Sequence, residues 1–227
     1  GIGFTGRINS MSLKYQAYIM NGFVSYNGDY KLKGTNGLRS GRQKGAKSVG
    51  SNANFSTKID YYGLPGLKLG LSFYKGKTQT TDKSIVGSQV GVSMLGLDAR
   101  YIKNKFSARA EYIDASLNDT DLYNKLSGKD LGSKMAGYYI EGAYNLLPTI
   151  SRQKLDVFVR YEDFDTHSNV SGSLVKNPLF HRKETTFGLS YHLSDGAVFK
   201  VDWQSKGTAV LDSESKGQFN MGIGVFF

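Results

Sequence analysis

Apolar side chains recur at every second position through most of the chain, a period that admits strands and excludes amphipathic helices. In the last eleven residues Phe219, Met221, Ile223, Val225 and Phe227 alternate with Gln218, Asn220, Gly222, Gly224 and Phe226. Leu155/Val157/Val159/Tyr161 and Phe199/Val201/Trp203 repeat the pattern. So do Phe55/Thr57/Ile59/Tyr61, Leu67/Leu69/Leu71/Phe73, Leu95/Leu97/Ala99/Tyr101, Phe106/Ala108/Ala110/Tyr112, Tyr138/Ile140/Tyr144/Leu146 and Phe187/Leu189/Tyr191/Leu193, with a weaker Leu13/Tyr15/Ala17/Ile19 and a short Ile2/Phe4/Ile8. Eleven strands are expected, each apolar on one face only. No strong helix is expected, although Leu122 to Leu131 could form a turn or two.

The connections between these strands alternate in length. Short ones fall at Asn9 to Ser12, Gly63 to Gly66, Lys103 to Lys105, Leu147 to Gln153 and Ser194 to Gly196, each with the Gly, Pro, Asn or Asp that tight turns use. Long ones run over Val24 to Asn52, Lys77 to Gln89, Asn118 to Ser133, Thr166 to His181 and Lys206 to Lys216. That sorting is the sequence form of an all-β, antiparallel, up-and-down transmembrane barrel, with short turns on one side of the membrane and long loops on the other. A soluble sandwich has no reason to sort its loops so. No run of about 18 apolar residues offers a membrane helix, but a barrel strand needs only about 10 residues with every second one apolar.

The two faces support the barrel. Opposite the apolar stripe lie Arg7, Lys14, Lys58, Asp60, Lys68, Asp98, Arg100, Arg109, Glu111, Glu141, Asp156, Arg160, Glu162, Arg182, Glu184, Lys200 and Asp202. Nine are basic and eight acidic, a mixed wall rather than an anion ladder. Lys58, Lys68, Arg100, Arg109, Glu111, Glu141, Arg160, Glu162, Lys200 and Asp202 are the candidate pore-lining residues. On the apolar face Tyr61, Tyr101, Tyr144, Tyr191 and Phe227 lie beside the short turns, and Phe55, Phe73, Tyr112, Tyr138, Tyr161 and Trp203 lie toward the long loops. Two aromatic bands around Leu, Ile, Val and Ala match the girdles of a lipid-facing barrel.

The C-terminal segments FGLSYHLSDGAVFKVDWQ (187–204) and FNMGIGVFF (219–227) resemble the last three strands of porins of the phosphate-selective porin O and P type. Over the rest of the chain the shared pattern is the generic barrel one. The resemblance implies a diffusion channel of the bacterial outer membrane and a barrel of 16 strands. Counting back from a periplasmic C-terminus makes the first strand a descending one. An even-stranded barrel then requires at least one strand upstream, about five if there are 16, with 1–227 as one barrel domain lacking its N-terminal strands. The loop that commonly constricts 16-stranded porins is expected before Gly1, and homotrimers or an envelope complex are the assemblies considered.

Other chemistry finds little support. The chain has no Cys, and its three histidines, His167, His181 and His192, form no ligand pair, so neither a metal nor another cofactor is expected. Gly1 to Gly6 fits G-x-G-x-x-G, yet no strand precedes it and no helix follows. Asp163 with Asp165, and Glu111 with Asp114, are nominal carboxylate pairs. No nucleophile motif accompanies them, so no enzyme is expected.

The formal net charge is +10, and half of it lies in one loop. Val24 to Asn52 carries Lys31, Lys33, Arg39, Arg42, Lys44 and Lys47 against Asp29 alone, a net +5. Its Gly, Ser and Asn content makes it mobile unless tied down. Three roles are open to it: binding lipopolysaccharide phosphates or another acidic partner, folding into the lumen to attract anions, or solubility alone. Nucleic acid is not expected, because the basic loop lacks interleaved base-stacking aromatics, Tyr30 standing nearly alone. The expected function is an outer-membrane channel for small hydrophilic solutes, with anion preference as one option. The alternative is a non-conducting barrel in a secretion or nutrient-uptake complex.

Overall fold

A computed structural model describes residues 1–210 and 214–226. Eleven strands form one antiparallel sheet whose spatial order follows the chain. They are β1 (Ile2–Ile8), β2 (Leu13–Met20), β4 (Asn54–Leu64), β5 (Leu67–Lys77), β7 (Gly91–Lys103), β8 (Phe106–Asn118), β9 (Lys134–Asn145), β10 (Lys154–Asn169), β11 (His181–Ser194), β12 (Ala197–Thr208) and β13 (Lys216–Val225). Two short strands, β3 (Val24–Tyr26) and β6 (Gln79–Thr80), pair in parallel apart from this sheet. One helix, α1 (Thr120–Ser127), stands where a turn or two was expected. β1 and β13, at the ends of the order, each pair with one neighbour. Phe227, expected in the aromatic band, and part of the expected loop Lys206 to Lys216 lie outside the described residues.

The period of two becomes two faces with different surroundings. Leu69, Leu71, Leu97, Ile140, Val157, Val159, Leu189, Met221 and Ile223 are exposed on the outer face, several by about half of their surface (Val159 54%, Ile140 57%). A soluble sandwich would bury them, whereas a barrel in lipid leaves them for acyl chains. The polar partners at alternate positions face the inside. The rows of paired residues are inclined: Leu67, Tyr101, Ala108, Gly142, Val159, Phe187, Trp203 and Phe219 form one outer row. It starts beside a short turn and ends near a long loop, as strand tilt in a barrel requires. This is how two aromatic bands arise from strands whose registers are shifted.

Apolar burial is confined to the long-loop end. Leu32, Val90, Val92, Ala115, Leu117, Tyr123 and Leu131 make one cluster, with Leu38, Met94 and Met135 against it. Val92, Met94, Ala115, Leu117 and Met135 belong to the inner face by register. Leu32 and Leu38 come from the basic loop, so the loop is packed on the inner wall.

Candidate functional site

Register sorts the inner-wall charges in a way the linear count hides. Lys68, Arg100, Arg109, Glu141 and Arg160 occupy one inclined row, each paired with the next across β5, β7, β8, β9 and β10. Two residues further along each strand, toward the long loops, runs a second row. It contains Asp60, Asp98, Glu111, Glu162 and Glu184, with Gly70 and Tyr139 between them. The wall therefore carries a basic row beside an acidic row, about 7 Å apart at the rise of a strand.

All ten candidate residues lie on this inner face. Glu141 takes both guanidinium groups: Arg109 Nε donates to Oε1 at 2.7 Å and Arg160 Nε to Oε2 at 2.8 Å. Lys58 reaches Asp98 at 2.5 Å and Asp60 at 3.6 Å, and Lys68 reaches Asp60 at 3.2 Å. Asp202 accepts from Asn220 at 2.8 Å. Arg160 touches Glu162 only loosely, at 3.9 Å. Arg100, Glu111 and Lys200 have no ion-pair partner among the described residues. Arg100, Arg109, Glu141, Arg160, Lys200 and Asp202 border an open cavity of about 500 Å³.

The nominal carboxylate pairs do not form. Asp163 binds His181 Nε2 at 2.8 Å, while Asp165 accepts the backbone N–H of His167. Glu111 faces inward, but Asp114, an odd number of residues away, falls on the other face and pairs with Lys134 at 3.0 Å.

The basic loop between β2 and β4 is tied at its root and at its far end. At the root, Gln43 donates to Gly22 O at 2.7 Å and accepts from Val49 N at 2.6 Å, which closes the loop on itself. The buried Ser25 hydroxyl lies 2.7 Å from Thr78 Oγ1 and donates to Ser88 O at 2.6 Å. At the far end Gly34 N donates to Asp130 Oδ1 at 2.9 Å, and Gly34 O accepts from Thr166 Oγ1 at 2.5 Å. Thr35 O accepts from Arg182 Nη2 at 2.8 Å. His167, 1% exposed, sits between Asp130 O and the N–H of Asn177, and Phe180 stands edge-on to its ring. The Tyr123 hydroxyl accepts from Leu32 N at 3.0 Å, and burial pushes this phenol up to about 12.

The segment therefore runs from β2 to the far strands β10 and β11, across the inner face. It is not mobile in the way its composition suggests, because side chains from two other loops and from β10 and β11 hold it. An inward-folded loop thus occurs within the described residues, although the constricting loop was expected upstream of Gly1. Lys31 pairs with Asp29 at 3.7 Å. Lys33, Arg39, Arg42, Lys44 and Lys47 are exposed and have no ion-pair partner among the described residues. The anchors Gly34, Tyr123, Asp130, Thr166 and His167 escape sequence reasoning; the only signal was Leu32 and Leu38 within a polar stretch.

No family model matches the chain. An uncharacterized protein of Aquifex aeolicus (strain VF5) is 28% identical over 214 residues, covering 89% of this chain and 47% of its own length. Among solved structures, a porin aligns at 12% identity with a TM-score of 0.51, over 99% of this chain and 60% of that one. An anion-selective porin from Comamonas acidovorans aligns at 12% identity with a TM-score of 0.55, over 98% of this chain and 57% of that one. The chain spans about half to three fifths of the length of these relatives. At such identities the likeness is one of fold, and the fold is a porin-like, outer-membrane type of β-barrel.

Proposed function

We propose that this chain forms most of the wall of a diffusion channel in the outer membrane of a Gram-negative bacterium, passing small hydrophilic solutes with a preference for anions. The observation that carries the reading is the basic loop folded onto the inner face, with five exposed, unpaired cations. Charges scattered over a wide wall screen one another, whereas charges on a loop inside the lumen stand close to every passing ion. The likeness to an anion-selective porin agrees with this direction.

The interior needs no cofactor and no catalytic group for such a task. Phosphate selectivity in the manner of porins O and P is not assigned, since a row of carboxylates from Asp60 to Glu184 runs along the wall beside the basic residues. The unpaired edges of β1 and β13 are covered, in this reading, by further strands that complete a barrel of the 16-stranded size. Lipid and lipopolysaccharide surround the apolar face, and trimers fit the wide barrel class. The infolded loop favours a channel over a non-conducting scaffold, which has no use for unpaired charge in its lumen.

Planar-bilayer recording of the purified intact protein tests the channel. Discrete openings are expected; a folded protein that inserts without any conductance overturns the proposal.

A further inference from the structure

An apolar patch inside a water-filled channel costs hydration and calls for a use. Between the loop and the wall lies an open cavity of about 340 Å³, walled by Leu38, Met94, Ile113, Met135 and Phe164. Gly137 leaves the space beside Phe164, whose Cβ would stand 2.6 Å from any side chain carbon there. Among the described residues, the charged groups that border the cavity are acidic, Glu111 and Glu162 of the acidic row and Asp165, while the Arg182 guanidinium lies over the Phe164 ring and is held by Thr35 O. Glu111 also borders the neighbouring groove that holds Arg100 and Arg109 of the basic row. Moving from the long loops toward the short turns, a solute thus meets apolar surface, then carboxylates, then guanidinium groups.

From this order we infer a binding site for an amphipathic zwitterion, a short peptide with an apolar N-terminal residue. Its side chain fills the cavity, its ammonium lies on Glu111 and Glu162, and its carboxylate reaches Arg100. The two rows are about 7 Å apart, two residues of strand. That matches the ends of an extended dipeptide, whose Cα atoms alone are about 3.8 Å apart, and exceeds the span of a single amino acid. A neutral zwitterion passes the basic loop without the repulsion a cation meets. The inference rests on the interior being a lumen, as proposed above, but its test does not depend on conductance.

The test is calorimetric titration of phenylalanyl-alanine into the intact protein in lipid nanodiscs, with empty nanodiscs as the blank. Its C-terminal amide serves as the cation-only probe and its N-acetyl form as the anion-only probe. Charge-assisted contacts predict that the dipeptide binds roughly tenfold tighter than the N-acetyl form. Glu111→Gln is expected to remove that advantage and leave the N-acetyl form unchanged. Arg100→Gln is expected to weaken the dipeptide and not the amide, and Ile113→Asn to weaken all three. Equal affinity for the dipeptide and the N-acetyl form, or no response of the dipeptide to Glu111→Gln, overturns the site. Channels that conduct but bind no dipeptide overturn the site alone, while binding without conductance supports the site and overturns the channel.

Discussion

At Gly34 the loop lies tight against the residues that anchor its far end. A methyl group on it would meet His167 Nε2 at 2.4 Å, Phe180 at 2.5 Å and Asp130 O at 2.6 Å, and two of these three are parts of the anchor itself. Gly34→Val is therefore expected to weaken docking by about 1 to 3 kcal/mol, the cost of overfilling a packed site. The barrel should still fold, and single-channel conductance should rise as the loop leaves the lumen; an unchanged conductance would show that the loop does not obstruct it. Tyr123 is the second anchor, and its sign with pH follows from burial. Its phenol titrates near 12 instead of near 10, so the folded state holds the proton more tightly. The contribution is complete below about pH 10 and disappears as pH rises through 12. Alkaline release of the loop, followed by protease sensitivity of residues 32–41, is expected in that window. Tyr123→Phe should leave Leu32 N without its partner, cost about 1 to 3 kcal/mol, and remove the tyrosine's share of the pH response.

A strand of this barrel carries its orientation in its own residues, which is why the elements were legible in the sequence and the loop path was not. Alternation alone decides which side of β5 faces out: Leu69 and Leu71 are outward and exposed, while Lys68 and Ser72 are inward. Replacing Leu69, Val157 or Ile223 by Arg is expected to cost about 2 to 4 kcal/mol in folding into vesicles if each meets the bilayer midplane. The same change at Ser72 or Asn220 should cost far less, and equal costs on both faces contradict the assignment of the lipid face. The basic loop has no such internal code. Its anchors pair residues 132 and 147 positions apart, Thr166 with Gly34 and Arg182 with Thr35. A period of two says nothing about contacts of that range. For the same reason the wall reads as an even mixture in one dimension, because only the strand register sets Arg100 beside Arg109 and Asp98 beside Glu111.

Across the whole molecule the charge has two arrangements with different reach. On the wall, acidic and basic rows lie side by side, and Glu141, Asp60 and Asp98 engage Arg109, Arg160, Lys58 and Lys68, so the field toward the lumen is largely local. On the loop, Lys33, Arg39, Arg42, Lys44 and Lys47 are exposed and have no ion-pair partner among the described residues, so the loop's charge is unbalanced. At physiological salt such charge acts over about 8 Å, and in dilute salt over several times that distance. If the chain forms the proposed channel, its ion preference is expected to follow the loop, with the wall orienting polar solutes. The most direct test is the zero-current potential of single channels in a salt gradient, compared between the natural chain and a variant with Lys33, Arg39, Arg42, Lys44 and Lys47, the five of the six loop cations without an ion-pair partner among the described residues, changed to Gln. The natural channel is expected to reverse on the anion side, and the variant to move toward cations with the larger shift in dilute salt. A zero-current potential that stays the same in both proteins at low ionic strength contradicts the account.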